Sequence, residues 1–305
     1  MKCIFTKTVS AVVGLLLAIP GTAAVQAVAT TTMVADLVRS VGGSEVAVRG
    51  LMEPGVDPHL YRPTRQDVTA LQRADVIFYN GLHLEGRMTD VLEMMAKRGR
   101  AVVAVAERVP EDKLLSPEEF EGVPDPHVWF DPLLWAATVS AVVEGLAAAD
   151  PDNRETYVAR GEAVVTQLQE LDSWVRQRVE VLSPAKRVLI TSHDAYNYFG
   201  RAYGFRVIGV QGISTVSEAG LADMARIVEF IKNEDVKAVF FESSVSDKLV
   251  RRISEDSGAA VGGELFSDAM GVPGKIETFE GESYDVGTYL GMVKHNVNQI
   301  VAGLR

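Results

Sequence analysis

Cysteine is almost missing from this chain. The single thiol, Cys3, stands near the start, ahead of an apolar stretch. The remainder can form no disulfide and no thiolate metal site. Any metal must be held by nitrogen and oxygen donors. Histidine is scarce as well: the five are His59, His83, His127, His193 and His295. Positive charge is in deficit, with 30 Lys and Arg against 41 Asp and Glu and a net charge of −11. Nucleic-acid phosphates need a basic face, and no Lys/Arg run supplies one, so that class of partner is excluded. The His-Glu-x-x-His helix of many zinc hydrolases is absent. Past residue 20, no uncharged apolar run is long enough to span a membrane.

The first residues have the pattern of a secretory signal. Lys2 and Lys7 form a positive start, 9–19 is an apolar core, and Pro20-Gly21 breaks it. Thr22-Ala23-Ala24 and Val25-Gln26-Ala27 both fit a cleavage site, and the pattern predicts a signal peptide over 1–27. A lipid-attachment cysteine would follow the apolar core, whereas Cys3 precedes it. The mature protein is therefore expected to be exported, soluble, without a stable membrane anchor, and monomeric.

The chain has 305 residues, of which 47% are hydrophobic, enough for two lobes with real cores. Strands are expected over 28–33, 46–52, 75–79 and 101–105, with helices between them. Thr64 is placed to cap the helix carrying Val68 and Leu71. Residues 109–126 read as an acidic loop, and Pro132 opens a helix to about residue 148. From Asp150-Pro151 to about residue 182 the spacing of Leu168, Leu171, Val175 and Val179 predicts one amphipathic helix of roughly 30 residues. A second α/β pattern follows. Its strands lie over 187–191, 205–210, 236–241 and 259–266, and its helices over 195–203, 248–257 and 289–304. Thr215-x-x-Glu218 has the form of a capping box for a further helix around Met224 and Ile231. Residues 272–286 read as an irregular loop. The expected architecture is α/β: a lobe over 28–150, a linking helix over 151–183 and a lobe over 184–305.

The tripeptide Asp57-Pro58-His59 recurs as Asp125-Pro126-His127. His59, His193 and Asp268 fall just past expected strands, and His127 follows the last strand of its lobe after the acidic loop. In open α/β sheets, ligands bind outside the carboxyl ends of the strands. Three imidazoles and a carboxylate can close the shell of a divalent metal. None of these spacings is a short motif, and histidines in such places also serve as core or solvated residues. Asp57 and Asp125 fit either of two roles, orienting the imidazoles or capping their loops. Glu242 falls where it can hydrogen-bond near such a site. His83 reads as a surface or supporting residue, His295 as solvated, and Trp129, Phe130, Asp131 and Asp194 as structural.

Seven stretches taken together resemble a known family. They are Asp57-Pro58-His59, Asn80-Gly81-Leu82-His83-Leu84-Glu85, Asp125 through Pro132, Thr191-Ser192-His193-Asp194-Ala195-Tyr196, Val210 through Thr215, Phe241-Glu242-Ser243-Ser244, and Leu265 through Gly271. In this order they are similar to the TroA/ZnuA-like solute-binding proteins of zinc and manganese ABC importers. The resemblance covers essentially the whole mature chain. It implies two α/β lobes joined by one long rigid helix, with the metal in the cleft between them. It implies His59 and His127 as ligands from the first lobe, and His193 and Asp268 from the second. It implies a periplasmic, non-enzymatic protein that hands Zn²⁺ or Mn²⁺ to an ABC permease and its ATPase subunit. Two departures bear on the metal. Some members, mostly manganese binders, have Glu where this chain has His193. Zinc-specific members often carry a His-rich loop before the second ligand, and here that loop is acidic and free of histidine. Imidazole suits zinc, so Zn²⁺ is expected first and Mn²⁺ second. The alternative reading is a secreted zinc hydrolase, which would need an open coordination position and Asp268 as a free base.

Overall fold

The computed structural model describes residues 24–117, 122–217 and 219–305. The expected signal peptide up to residue 23, part of the acidic loop, and Glu218 lie outside the described residues. The capping box expected at Thr215 does not start the helix around Met224 and Ile231. That helix begins at Leu221 with Gly220 as its cap, boxed with Asp223, and the Thr215 hydroxyl is turned to Asp57 instead. Strand β1 (Val25–Ala29) begins inside the stretch assigned to the signal, with Val25 and Ala27 buried. A cut after Ala27 would remove three of its five residues, whereas a cut after Ala24 leaves it whole.

The first lobe is a four-stranded parallel sheet in the order β2-β1-β3-β4. Its other strands are β2 (Val46–Gly50), β3 (Val76–Tyr79) and β4 (Val102–Ala104). Every residue of β3 is buried, as a strand covered on both faces requires. The crossovers carry α1 (Thr32–Gly42), α2 (Arg65–Arg73) and α3 (Arg87–Lys97). The strand expected over 28–33 stops early. The Thr31 hydroxyl accepts from Val34 N at 3.3 Å and caps α1, which puts Met33 in the helix. Thr64 caps α2 as expected, in a reciprocal box with Asp67.

Two helices follow, α4 (Pro132–Ala149) and α5 (Arg154–Val179). By length and composition α4 resembles a membrane span, but it packs against α1 and α5 as a core helix of the lobe. The long helix has 26 residues, about 39 Å at about 1.5 Å per residue. It starts later than the sequence predicts. Pro151–Asn153 forms a 3-10 turn, because the Asp150 carboxylate accepts from Asn153 Nδ2 at 2.7 Å and Tyr157 OH at 2.8 Å. Gly161 sets how closely α5 approaches α4: a Cβ there would lie 2.6 Å from Val143 Cγ2.

The second lobe contains β5 (Val188–His193), α6 (Asn197–Tyr203), β6 (Arg206–Gln211), α7 (Leu221–Glu234) and β7 (Ala238–Glu242). It continues with α8 (Lys248–Ser257), β8 (Ala260–Leu265) and α9 (Tyr289–Leu304). The pairs β5/β6 and β7/β8 are parallel, and β5 lies beside β7. The crevice between the ends of β5 and β7 is therefore where the strand order reverses, the place where such sheets bind ligands. The stretch expected as an irregular loop is a hairpin, β9 (Ile276–Phe279) and β10 (Glu282–Asp285). Glu280 and Gly281, at φ of 49° and 87°, make its two-residue turn.

One buried apolar cluster crosses both lobes, from Val25 and Phe78 through Leu168 and Val175 of α5 to Phe240 and Leu304. The two-lobe α/β architecture and the long helix of the sequence reading are both present. The lobes share a core as well as a cleft.

Candidate metal centre

Four distant segments converge in the cleft. His59 lies on the loop after β2, and His127 leads into a 3-10 turn over Val128–Phe130. His193 is the last residue of β5, where the sequence placed it just beyond the strand, and Asp268 follows β8. One ligand atom from each of the four lies within 4.8 Å of every other. His59 Nε2 is 3.4 Å from His127 Nε2. Asp268 Oδ1 is 3.4 Å from His127 Nε2, and its Oδ2 is 3.3 Å from His193 Nε2 and 3.9 Å from His59 Nε2. Donors at about 2.1 Å from a tetrahedral ion stand about 3.4 Å apart. The cluster already has nearly that spacing. The site is buried: His59 is 8% exposed and the other three at most 1%. His193 Nε2 and both carboxylate oxygens of Asp268 have no hydrogen-bond partner among the described residues. Buried polar atoms without partners are costly unless something binds them. Here they point at one another.

The support behind each imidazole differs. Asp125 Oδ1 accepts from His127 N at 3.0 Å and from its Nδ1 at 2.7 Å. Glu242, at the end of β7, accepts from His193 N at 2.9 Å and from His193 Nδ1. Each carboxylate holds the proton on Nδ1 of its ring and turns Nε2 toward the cluster, the orientation that ligation needs. Asp57 Oδ1 accepts only the His59 backbone N, at 2.8 Å. So Asp125 fills both of its expected roles, Glu242 supports the site as expected, and Asp57 caps its loop without touching the ring.

Charge follows the same geometry. Burial pushes His59 down to about 3, and His127 and His193 reinforce it against the pull of Asp268. Burial also opposes charge on His127, but Asp125 and Asp268 outweigh it and hold that imidazole at about 9. His193 is likewise raised, with Asp268 and Glu242 overcoming burial. Asp268 is held well below the usual carboxylate range, because His193 and His127 outweigh its burial. The same charges that hold protons on His127 and His193 around Asp268 would favour a dication there.

The remaining residues fall outside the cluster. His83 is exposed, at a φ of 63°. His295 is not solvated, contrary to the sequence reading. It is 5% exposed, with Nδ1 2.7 Å from Glu277 Oε2 and Nε2 3.0 Å from Glu264 O. Its partners come from β8 and the unforeseen hairpin, so its periodicity on α9 gave no sign of them. Trp129 is core, as expected, and also walls the site: its ring centroid is 5.2 Å from that of His127 and its Nε1 donates to Ser267 O at 3.0 Å. Asp131 is structural, capping α4 by accepting from Leu133 N at 3.0 Å.

Two residues have roles near the site that the sequence does not assign to them. Glu85 is fully buried and pushed up to about 7 by that burial. It accepts from Thr30 Oγ1 at 2.8 Å, Asn80 N at 2.6 Å and Gly81 N at 3.2 Å, which ties together the ends of β1 and β3. Thr215, on the loop after β6, donates its hydroxyl to Asp57 Oδ2 at 2.6 Å across the cleft.

Comparison with known proteins gives a consistent result. The profile of the family described as periplasmic zinc-uptake complex component A matches residues 27–303. The zinc-binding protein TroA of Treponema pallidum (strain Nichols) is 46% identical over 282 residues, spanning 91% of this chain and 88% of TroA. The manganese-binding lipoprotein MntA of Bacillus subtilis (strain 168) is 41% identical over 285 residues, spanning 92% and 90%. The solved structure of the periplasmic zinc-binding protein TroA from Treponema pallidum superposes with a TM-score of 0.86 at 44% identity, over 92% of this chain and 99% of that one.

Proposed function

This chain belongs to the family of periplasmic component A proteins of zinc-uptake complexes, and we propose that it captures one divalent metal ion on His59, His127, His193 and Asp268. Solute-binding proteins of this family bind metal for ABC importers and work with a permease and an ATPase subunit; they are not enzymes. The convergence of three buried imidazoles and one buried carboxylate, drawn from both lobes at coordination spacing, carries the ligand assignment. Zn²⁺ is the first choice of cargo, because three imidazoles suit it and nitrogen/oxygen sites bind it more tightly than Mn²⁺. Mn²⁺ is the second, in keeping with what the name of the Bacillus relative says it binds.

The hydrolase reading has no support. Asp268 lies in the middle of the donor set, not apart from it as a free base would. The working protein is taken to be a periplasmic monomer cleaved after Ala24. Its lobes are 25–150 and 184–305, and residues 151–183 form the stiff connection between them.

Elemental analysis of protein purified without added metal tests the assignment, alongside titration with Zn²⁺ and Mn²⁺. The expected result is one ion per wild-type chain and none retained by His127→Ala. Loss of His127 also strands Asp125 and Asp268 in a buried site. A wild-type chain with no stoichiometric zinc or manganese at micromolar metal sinks the proposal.

A further inference from the structure

The two sides of the cleft are fastened unequally. On the His127 side, Tyr198 OH donates to Asp125 O at 2.8 Å and Asn197 Nδ2 to Asp125 Oδ2 at 3.2 Å. Trp129 Nε1 reaches Ser267 O at 3.0 Å, Tyr289 OH reaches Trp129 O at 2.6 Å, and the Phe130 and Tyr196 rings stack at 4.0 Å. All of these join the first lobe to the second. On the His59 side, the loop over 53–61 makes one hydrogen bond to the second lobe among the described residues, from the Thr215 hydroxyl to Asp57 Oδ2. The other oxygen of that carboxylate holds the His59 backbone N at 2.8 Å. Thr215, Asp57 and His59 therefore form one chain of contacts that runs from the second lobe to a candidate ligand. His59 is also the most exposed of the four, and no carboxylate steadies its ring. Asp57, Leu60, Thr215, Ser244, Val245 and Lys248 line a cavity of about 540 Å³ open to solvent on this side. The latch residues Asp57 and Thr215 both face this cavity.

We propose that Thr215 is a positioning residue. Its hydrogen bond to Asp57 latches the second lobe onto the His59 loop, and breaking it opens the corner of the site through which the metal leaves. The inference rests on the four-ligand reading above and adds where release begins. With the His127 side held by several bonds and a shared core, the His59 loop is the part free to move. Once Thr215 lets go, Asp57 keeps only its local turn with the His59 backbone N, nothing ties that turn to the second lobe, and the loop can carry His59 away from the other three donors.

The test uses the whole mature chain and the variants Thr215→Val and Thr215→Ser. Valine keeps the shape and removes the hydroxyl; serine restores it. Metal-loaded protein is mixed with excess chelator and release is followed by stopped flow. Thr215→Val is expected to release Zn²⁺ about tenfold faster, the lower end of what one hydrogen bond to a charged group contributes, while Thr215→Ser stays near wild type. Hydrogen exchange at the His59 amide, measured on metal-free protein, should rise in Thr215→Val with the thermal midpoint lowered by no more than about 5 °C. Stoichiometric wild-type binding with unchanged Thr215→Val release, or equally fast release from Thr215→Ser, overturns the latch and leaves the ligand assignment standing. A His59 amide unmoved by Thr215→Val also overturns it. A wild type that binds no metal removes both.

Discussion

Glu242→Gln is the sharpest perturbation of the site that leaves every candidate ligand in place. Glu242 accepts two hydrogen bonds from one residue, from the His193 backbone N at 2.9 Å and from its ring Nδ1. Both donors are buried. Glutamine has the same shape but one oxygen and one NH₂, so it can accept from only one of them. If its oxygen takes the ring, the His193 N–H faces another donor, and a buried donor left unpaired costs about 1–3 kcal/mol. If its oxygen takes the backbone, the NH₂ faces Nδ1 and favours the tautomer with the proton on Nε2. That proton then sits where the metal must bind. Either way the imidazole is a poorer ligand, and loss of such a supporting contact lowers metal affinity by about 10–100-fold. That range is about 1.4 to 2.8 kcal/mol. The assay is competition for Zn²⁺ against a chromophoric chelator at fixed pH, with the thermal midpoint of the metal-free variant as a folding control. A dissociation constant within twofold of wild type would refute the reasoning. A loss well beyond about a hundredfold would mean that Glu242 contacts the ion itself, since supporting residues seldom cost so much.

Two further outcomes follow from charge and mechanics. Without metal, His127 is held at about 9 and His193 is raised as well, so at neutral pH both carry protons that an incoming ion displaces. Affinity should therefore rise as pH is raised toward 9 and weaken as it falls, with up to about two protons released per ion; calorimetry in buffers of different ionisation enthalpy measures the count, and a pH-independent affinity contradicts histidine ligation. The 26-residue helix and the core shared by both lobes should prevent wide closure. Small-angle scattering should then show a radius of gyration of about 19 Å that changes by less than about 0.5 Å on metal binding, and a change above about 1 Å would contradict a stiff connection.

The sequence carried the regular elements best where one periodicity dominated. Helices α8 and α9 have the bounds that their apolar spacing predicts. It failed where a hydroxyl or a tertiary partner decided. Thr30-Thr31-Thr32 reads as β-branched strand, yet the Thr31 side chain caps a helix. The β9/β10 hairpin was hidden for two reasons. Its strand residues are mostly half-buried or exposed and lack a strong apolar alternation, and its turn has Glu280 where Asn, Asp or Gly would give the usual signal. Once that hairpin was missed, the burial of His295 against Glu277 had nothing to reveal it. The candidate ligands were legible because histidine is scarce, the Asp-Pro-His tripeptide repeats, and His193 and Asp268 fall at or just past strand ends. Glu85 and Thr215 were not, because a buried glutamate and a loop threonine acquire their roles only from segments distant in the chain.

The repeated Asp-Pro-His tripeptide separates what is local from what is not. In both copies the aspartate accepts from the backbone N of the histidine two residues on, at 2.8 Å for His59 and 3.0 Å for His127. That turn is encoded in the tripeptide itself, since an Asx side chain bonds its own backbone two residues on. The second contact of each carboxylate is set by the opposite lobe. Asp125 is gripped through Asn197 and lies against its own imidazole, which it locks in the ligating tautomer. Asp57 is drawn to Thr215 and leaves the His59 ring without a carboxylate behind it. One motif thus yields a fixed donor and a yielding one. A carrier needs both, because a cage of four equally supported ligands would hold its ion well and surrender it slowly. Replacing the latch rather than the ligand is therefore the way to change release without abolishing capture.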